Sequence, residues 1–169
     1  MKKNLVLLGM MGVGKTTVGK IVAKMQDMEF IDTDARIEER CSMKIYEIFK
    51  SKGEKFFRNE EEKEVLKLLK KNNCIITLGG GAFVNNTIRS SVLKNSISIW
   101  LEANLKTLSK RIKWNKKRPL LDKDNNNKKI SHLYLKRKGI YKLANHKINC
   151  DGLNKKDIAV KIINFYEKK

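Results

Sequence analysis

The chain is organised around Gly9-Met10-Met11-Gly12-Val13-Gly14-Lys15-Thr16, which fits the pattern GxxxxGK[ST] at every fixed position. In such loops several backbone N–H groups turn inward towards phosphate oxygens, and side chains at Gly12 and Gly14 would obstruct that approach. Lys15 supplies a positive charge for the β- and γ-phosphates, and the Thr16 hydroxyl suits a Mg²⁺ ion. The stretch therefore predicts a nucleotide-binding loop made of Gly12, Val13, Gly14, Lys15, Thr16 and Thr17.

The segments on either side of this loop have the character that a phosphate loop requires. Residues 5–8 form a short apolar run typical of a buried parallel strand, and apolar residues recur at helical spacing after Thr16. A helix that begins at the loop directs the positive end of its dipole at a bound anion. This order favours nucleotide binding over a glycine-rich turn that binds nothing. Strand-like and helical segments alternate along the rest of the chain, which predicts an α/β layered fold with a mostly parallel sheet.

Length and charge limit the classes of function. A chain of 169 residues suits one domain, here 1–169. The formal net charge of +20 is uneven, because residues 1–84 carry a net +4 and residues 85–169 carry a net +16. We interpret the excess first as solvated surface, second as attraction for anionic small substrates and third as a nucleic-acid surface. We therefore expect no nucleic-acid partner.

The spacing of the cysteines and the sequence of the N-terminal region indicate the cellular compartment of the protein. Cys41, Cys74 and Cys150 form no CxxC pair, so neither a disulfide framework nor a metal cage is indicated. The run of four aliphatic residues that follows Asn4 is too short for a signal-peptide core or a membrane span. We expect a cytoplasmic protein without membrane attachment.

Two acidic residues, Asp32 and Asp34, follow the second predicted strand. The carboxyl ends of parallel strands meet at one edge of a sheet, so both acids should lie beside the phosphate loop. Asp32, with Thr16, could hold Mg²⁺, and Asp34 could accept a proton from a substrate hydroxyl. The alternative for either acid alone is capping of the helix that begins near Ala35. Their joint position behind the loop favours a functional role.

Two arginines and a glycine triplet are further candidates for binding a substrate. The sequence predicts a short helix over residues 42–52, a break at Gly53 and a longer helix over residues 55–71. Arg58 lies near the start of the longer helix, where it could either pair with Glu54 or Glu62 or bind a substrate carboxylate. The triplet Gly79, Gly80 and Gly81 follows a predicted strand, which favours close contact with a ligand over a loose turn. Arg137 lies in a predicted helix over residues 130–144, and a solvated basic surface is the alternative there.

The polar segment at about residues 113–128 is predicted to be a lid. It contains Arg118 and the only proline, Pro119, and could close over bound phosphates; a tolerant surface loop is the alternative. Asn154 is predicted to cap the last helix.

With these residues described, the chain resembles the shikimate kinase family over nearly its whole length. The resemblance is carried by five motifs in order: Gly9 to Gly19, Phe30 to Asp34, Gly53 to Arg58 with Glu61, the glycine triplet, and Arg118-Pro119-Leu120-Leu121. It implies a nucleoside-monophosphate-kinase-like P-loop fold, three-layer α/β/α, with a central five-stranded parallel sheet and a mobile lid. It also implies transfer of the ATP γ-phosphate to the 3-hydroxyl of shikimate.

The resemblance implies roles for individual residues. Asp34 would bind ring hydroxyls and serve as base, Arg58 and Arg137 would bind the carboxylate, and the triplet would contribute backbone contacts. Lys15 and Arg118 would stabilise the transferring phosphoryl group beside one Mg²⁺ ion at Thr16 and Asp32. Arg111 would flank adenine, and Asn154 is a further candidate there, with Lys155 as its alternative. The implied partners are ATP and shikimate, and we expect a monomer.

Two other functions remain as alternatives. One is a kinase of the same fold that acts on gluconate or a nucleoside monophosphate. The other is a nucleotide-dependent switch that binds nucleic acid through the basic second half, although no aromatic stacking motif or helix-turn-helix signature supports it.

Overall fold

The structure, a computed structural model, describes residues 3–113 and 126–169. The predicted lid, including Arg118, lies almost entirely outside the described residues, so its role stays a prediction.

The centre of the fold is a single sheet of five parallel strands in the order β2-β3-β1-β4-β5. Their bounds are β1 Asn4–Leu8, β2 Glu29–Asp32, β3 Cys74–Thr77, β4 Ser96–Glu102 and β5 His146–Asn149. Every residue of β1 and of β3 is buried, as expected for strands covered by helices on both faces. The predicted three-layer α/β/α class with a five-stranded parallel sheet is confirmed.

Seven helices and one short 3₁₀ turn accompany the strands within the described residues, and the last helix follows the last strand. They are α1 Lys15–Gln26, α2 Thr33–Cys41, α3 Ile45–Leu68, the 3₁₀ turn Ala82–Val84, α4 Asn86–Asn95, α5 Leu105–Lys113, α6 Asn126–Tyr141 and α7 Lys155–Tyr166. α3 is broken at Gly53, where the backbone is non-helical with φ 81° and ψ 168°. The sequence predicts two helices separated at this glycine, and the break is confirmed.

The hydrophobic core consists of two clusters of buried apolar residues. The larger one surrounds the sheet, and a smaller one, formed by Ile37, Ile48 and Phe57, joins α2 to the two parts of α3. The smaller cluster supports the helices that carry Asp34 and Arg58, beside the carboxyl ends of β2 and β3. The fold thus places both groups at the sheet edge where the phosphate loop opens.

No helix within residues 3–113 and 126–169 combines the length and the apolar character needed to cross a bilayer. All three cysteines, Cys41, Cys74 and Cys150, are free thiols.

Candidate active site

The phosphate loop connects β1 to α1 with a backbone that needs glycine at defined positions. Gly12 has φ 79°, and a Cβ there would lie 2.8 Å from Cγ1 of Ile112. Gly14 precedes the first residue of α1 with φ 105° and has open space around it, so its backbone conformation alone favours glycine. The loop therefore lies against α5 and leads directly into the N-terminus of α1.

Lys15 points into this loop and is nearly buried. Its Nζ donates hydrogen bonds to the carbonyl oxygens of Gly9, at 2.8 Å, and Met10, at 3.0 Å. Arg111, from α5, donates from Nη1 to the carbonyl oxygen of Val13 at 3.0 Å. Two of the cations predicted to bind nucleotide, Lys15 and Arg111, therefore lie at the phosphate loop.

Asp32 makes two kinds of contact in the structure, and one of them is the helix cap that the sequence offers as the alternative to metal binding. Its Oδ1 accepts a hydrogen bond from the backbone N–H of Ala35 at 3.2 Å, which caps α2. Its Oδ2 accepts from the hydroxyls of Thr16, at 2.7 Å, and Thr77, at 3.1 Å. A carboxylate and a hydroxyl side by side at a phosphate loop are the oxygen ligands that Mg²⁺ prefers. The residues predicted to bind the metal therefore fit a magnesium ion, and the same carboxylate also caps the helix.

Each glycine of the triplet lies against a different predicted substrate residue. A Cβ on Gly79 would lie 2.5 Å from Oδ1 of Asp34, and one on Gly80 would lie 3.4 Å from Nη1 of Arg137. A Cβ on Gly81 would lie 2.7 Å from Nη1 of Arg58. The absence of side chains at Gly79 and Gly81 leaves room for Asp34 and Arg58. The structure brings all six predicted acceptor residues together.

Arg58 is held by two glutamates of its own helix. Its Nη1 donates to Glu61 at 2.7 Å, and its Nη2 lies 3.3 Å from Glu54. Burial opposes the charge of Arg58, but both glutamates outweigh burial and raise its pKa. The predicted pair with Glu54 is present, whereas Glu62 accepts a hydrogen bond from Asn85 instead.

Glu61 belongs to one of the motifs quoted from the sequence, but no role in the site was assigned to it there. Only 1% of it is exposed, and its Oε1 would lie 2.9 Å from a Cβ on Gly79. Burial raises the pKa of Glu61 and Asp34 adds to that effect, while Arg58 and Arg137 oppose it. Its spacing three residues after Arg58 is a signal for the pairing, but only the fold shows that Glu61 is buried between the triplet and the arginines.

Two cavities meet at the carboxyl edge of the sheet. One, of about 470 Å³, follows the phosphate loop, and the other, of about 1170 Å³, extends over Arg58, Glu61 and Arg137. The residues that line both cavities are Thr16, Asp32, Asp34, Gly79 and Gly80. An anionic nucleotide in the first cavity and an acidic acceptor in the second would therefore come into contact beside Asp34.

The far end of the smaller cavity lies beside the start of α7. Asn154 caps α7, because its Oδ1 accepts from the N–H groups of Lys156, at 2.8 Å, and Asp157, at 3.0 Å. The lining residues from this region are its neighbours Leu153 and Lys155, together with Ile158 on α7. The capping role of Asn154 is confirmed and its contact with nucleotide stays a prediction, while Leu153 and Ile158 were missed.

Comparisons with known proteins show the family to which this chain belongs. The family model described as "Shikimate kinase" matches residues 11–167. The shikimate kinase of Bartonella henselae is 42% identical over 94% of this chain and 76% of its own length, and that of Sulfurihydrogenibium sp. is 39% identical over 95% and 96%. A solved structure, the shikimate kinase from Acinetobacter baumannii in complex with shikimate, superposes with a TM-score of 0.95 at 30% identity, covering 99% of this chain and 94% of that one. The chain therefore belongs to the shikimate kinase family of ATP-dependent kinases.

Proposed function

We propose that this chain transfers the γ-phosphate of ATP to the 3-hydroxyl of shikimate, with Asp34 between the two substrates. The observation that carries the proposal is the junction of the two cavities, where Asp34, Gly79 and Gly80 line both. The shikimate bound to the Acinetobacter baumannii relative supports the choice of acceptor.

The second cavity suits an acceptor that carries a carboxylate and hydroxyl groups. Arg58 and Arg137 offer planar guanidinium groups that can bind a carboxylate through two hydrogen bonds each. Glu61 holds Arg58 at 2.7 Å and so fixes the direction of its guanidinium. The carboxylate of Asp34 would accept hydrogen bonds from ring hydroxyls, and the backbone of the triplet would contact the ring.

The reaction requires positioning and charge stabilisation more than covalent chemistry. Asp34 would take the proton of the attacking hydroxyl, and Lys15 would move from its loop carbonyls to the transferring phosphate oxygens. Mg²⁺, held by Thr16 and Asp32, would neutralise negative charge on the β- and γ-phosphates when bound. Arg118 is proposed to add a positive charge, and it lies outside the described residues.

The nucleotide is proposed to extend from the phosphate loop towards α7. Arg111 is held at the loop by Val13 and would flank the adenine. Leu153 and Ile158 offer an apolar surface to the base, and Lys155 lines the same cavity. The side-chain oxygen of Asn154 already caps α7, so Asn154 would contact the nucleotide through its other polar groups.

Three broader predictions from the sequence also belong to the proposal. The chain would act as one domain over residues 1–169, as a monomer and in the cytoplasm. One sheet carries both substrate regions, which supports the single domain. Three free thiols suit a reducing compartment.

The direct test is ADP release by the purified protein with Mg²⁺ and ATP, measured without an acceptor and then with shikimate, gluconate or each of several nucleoside monophosphates. We expect a strong rise with shikimate alone. A rise with another acceptor, or none with shikimate, would overturn the proposed acceptor while leaving the nucleotide site in place.

Gly79→Ala should reduce kcat/KM for shikimate by about tenfold or more, because its Cβ would displace the carboxylates of Asp34 and Glu61 that lie 2.5 and 2.9 Å away. The matched control is Gly139→Ala, in the interior of α6 with open space around it. That variant should keep its activity and gain about 0.5–1 kcal/mol in free energy of unfolding. Steady-state kinetics and urea unfolding measure both effects. Equal kinetics in the two alanine variants would contradict the role given to Gly79.

A further inference from the structure

We propose that Tyr141 is a positioning residue for the acceptor pocket, whose hydroxyl fixes the peptide group between Gly80 and Gly81. The inference rests on the proposed function and adds to it a residue that touches neither substrate. It explains how a run of three glycines, which has little conformational preference of its own, keeps one orientation beside two arginines.

Tyr141 lies at the junction of three elements that build the site. It ends α6, is 1% exposed, and its hydroxyl donates a hydrogen bond to the carbonyl oxygen of Gly80. The hydroxyl also lies 3.8 Å from Sδ of Met10 in the phosphate loop, and the ring packs against Trp100 at a centroid distance of 6.0 Å. Packing on all sides holds the hydroxyl in place, so it can act as a fixed donor.

The bonded carbonyl controls more than one atom because a peptide group is planar. The Gly80 oxygen and the Gly81 N–H belong to the same plane, so a donor on the oxygen also directs the N–H. Gly80 packs against Arg137 and Gly81 against Arg58, both of which are assigned to the substrate carboxylate. Rotation of this peptide group would therefore shift the surface that supports both guanidinium groups.

A second hydroxyl holds the other end of the triplet. Oγ1 of Thr33, which is fully buried, accepts from the N–H of Gly79 at 3.1 Å and donates to the carbonyl oxygen of Thr77 at 3.1 Å. The triplet is thus held at its first residue by Thr33 and at its middle residue by Tyr141. The carbonyl oxygens of Gly79 and Gly81 accept backbone hydrogen bonds from Ala82 N–H, at 3.0 Å, and Val84 N–H, at 3.1 Å. The hydroxyl of Tyr141 therefore holds the one carbonyl of the triplet that lies between these two.

The protonation state of Tyr141 predicts how shikimate binding should depend on pH. Burial raises the pKa of Tyr141 to about 12, and Arg137 and Arg58 act in the opposite direction. The hydroxyl therefore remains a donor throughout the neutral and mildly alkaline range. Loss of this donor should change shikimate binding by the same factor across that range.

The test is Tyr141→Phe, which removes the hydroxyl and keeps the ring against Trp100. We expect KM and Kd for shikimate to rise about five- to tenfold, because the net contribution of one hydrogen bond corresponds to such a factor. KM for ATP should change less than about twofold, since the change concerns the acceptor pocket. Kinetics over a range of pH and calorimetric titration with shikimate, both run well below the melting temperature of the variant, measure these effects.

The matched control is Tyr166→Phe. Tyr166 is also buried, and its hydroxyl donates to the backbone carbonyl of Lys3, away from both cavities. That variant should lose stability and keep both KM values. If the two phenylalanine variants have the same kinetics, or if Tyr141→Phe weakens ATP and shikimate equally, the positioning role is wrong.

Thr33→Val keeps the test decisive if Tyr141→Phe folds poorly. It removes the hydroxyl at the other end of the triplet and should give the same selective rise in KM for shikimate. Unchanged affinity for shikimate in that variant would overturn the idea that hydroxyls hold the triplet. A wild-type protein that ignores shikimate would overturn the proposed function as well, whereas a responsive wild type with an unaltered Tyr141→Phe variant overturns this inference alone.

Discussion

Lys15→Ala is expected to lower kcat/KM by about 10³-fold, because a preorganised positive charge on a transferring phosphoryl group is worth several kcal/mol. Nζ of Lys15 contacts the carbonyl oxygens of Gly9 and Met10, at 2.8 and 3.0 Å. It therefore already lies inside the loop that would surround the phosphates. Polyphosphate oxygens can replace those two carbonyls with little movement of the side chain. Rates of ADP release with saturating shikimate measure the loss.

The fold of this variant should survive. The loop retains backbone hydrogen bonds of its own, such as the one from Val13 N–H to the Met10 carbonyl at 3.4 Å and the one from Val18 N–H to the Gly14 carbonyl at 3.0 Å. Lys24→Ala, in the exposed last turn of the same helix, is the matched control and should keep full activity. An active Lys15→Ala enzyme, with a rate within about tenfold of wild type, would refute the assignment of Lys15.

Several elements of the fold were predictable because local signals agreed with tertiary demands. A continuous apolar run and the glycine-rich loop fix the end of β1 and the start of α1, and both predictions are confirmed. Gly53 separates two helical patterns, and its φ of 81° explains why the helix breaks there. In each case the local structure accepts few residue types, so the sequence alone is informative.

Other elements had no comparable local signal. The 3₁₀ turn over Ala82–Val84 and the helix Asn86–Asn95 lie in a segment for which no element was predicted. Asn85, which caps that helix by accepting from the N–H of Ile88 at 3.1 Å, is a local signal for its start. The strand order could not be predicted from hydrophobic periodicity. An apolar run shows that a strand is buried, but it does not show which strands lie beside it.

The site shows the same division between local and tertiary information. The motif residues Asp34, Gly79 and Arg58 were predicted from the sequence and lie together at the sheet edge. Glu61 was quoted only as part of a motif and Tyr141 was given no role, because the roles of both depend on burial against residues distant in the chain. Asn154 is the opposite case, because its local signal as a helix cap was correct and the cap already engages its side-chain oxygen.

Asp34→Asn is expected to lower kcat by about 10²- to 10⁴-fold, the range attributed to a positioned general base. The amide keeps the size of the side chain and still accepts hydrogen bonds from ring hydroxyls, so KM for shikimate should change much less. Its neighbours favour this outcome, since Asp34 lines both cavities and lies where Gly79 leaves room for it. Single-turnover measurement of phosphoryl transfer separates the chemical step from product release.

The alternative role for Asp34 is binding alone, and the split between kcat and KM distinguishes the two. A carboxylate that only binds hydroxyls would raise KM for shikimate on replacement and leave kcat near its wild-type value. Asp157→Asn is the matched control, because Asp157 also lies in the first turn of a helix and its replacement removes the same favourable interaction with the helix dipole. If Asp34→Asn lowers kcat alone and Asp157→Asn keeps the wild-type activity, proton transfer is assigned to Asp34. Neither a loss of helix stability nor a loss of acceptor binding would then account for the slower reaction.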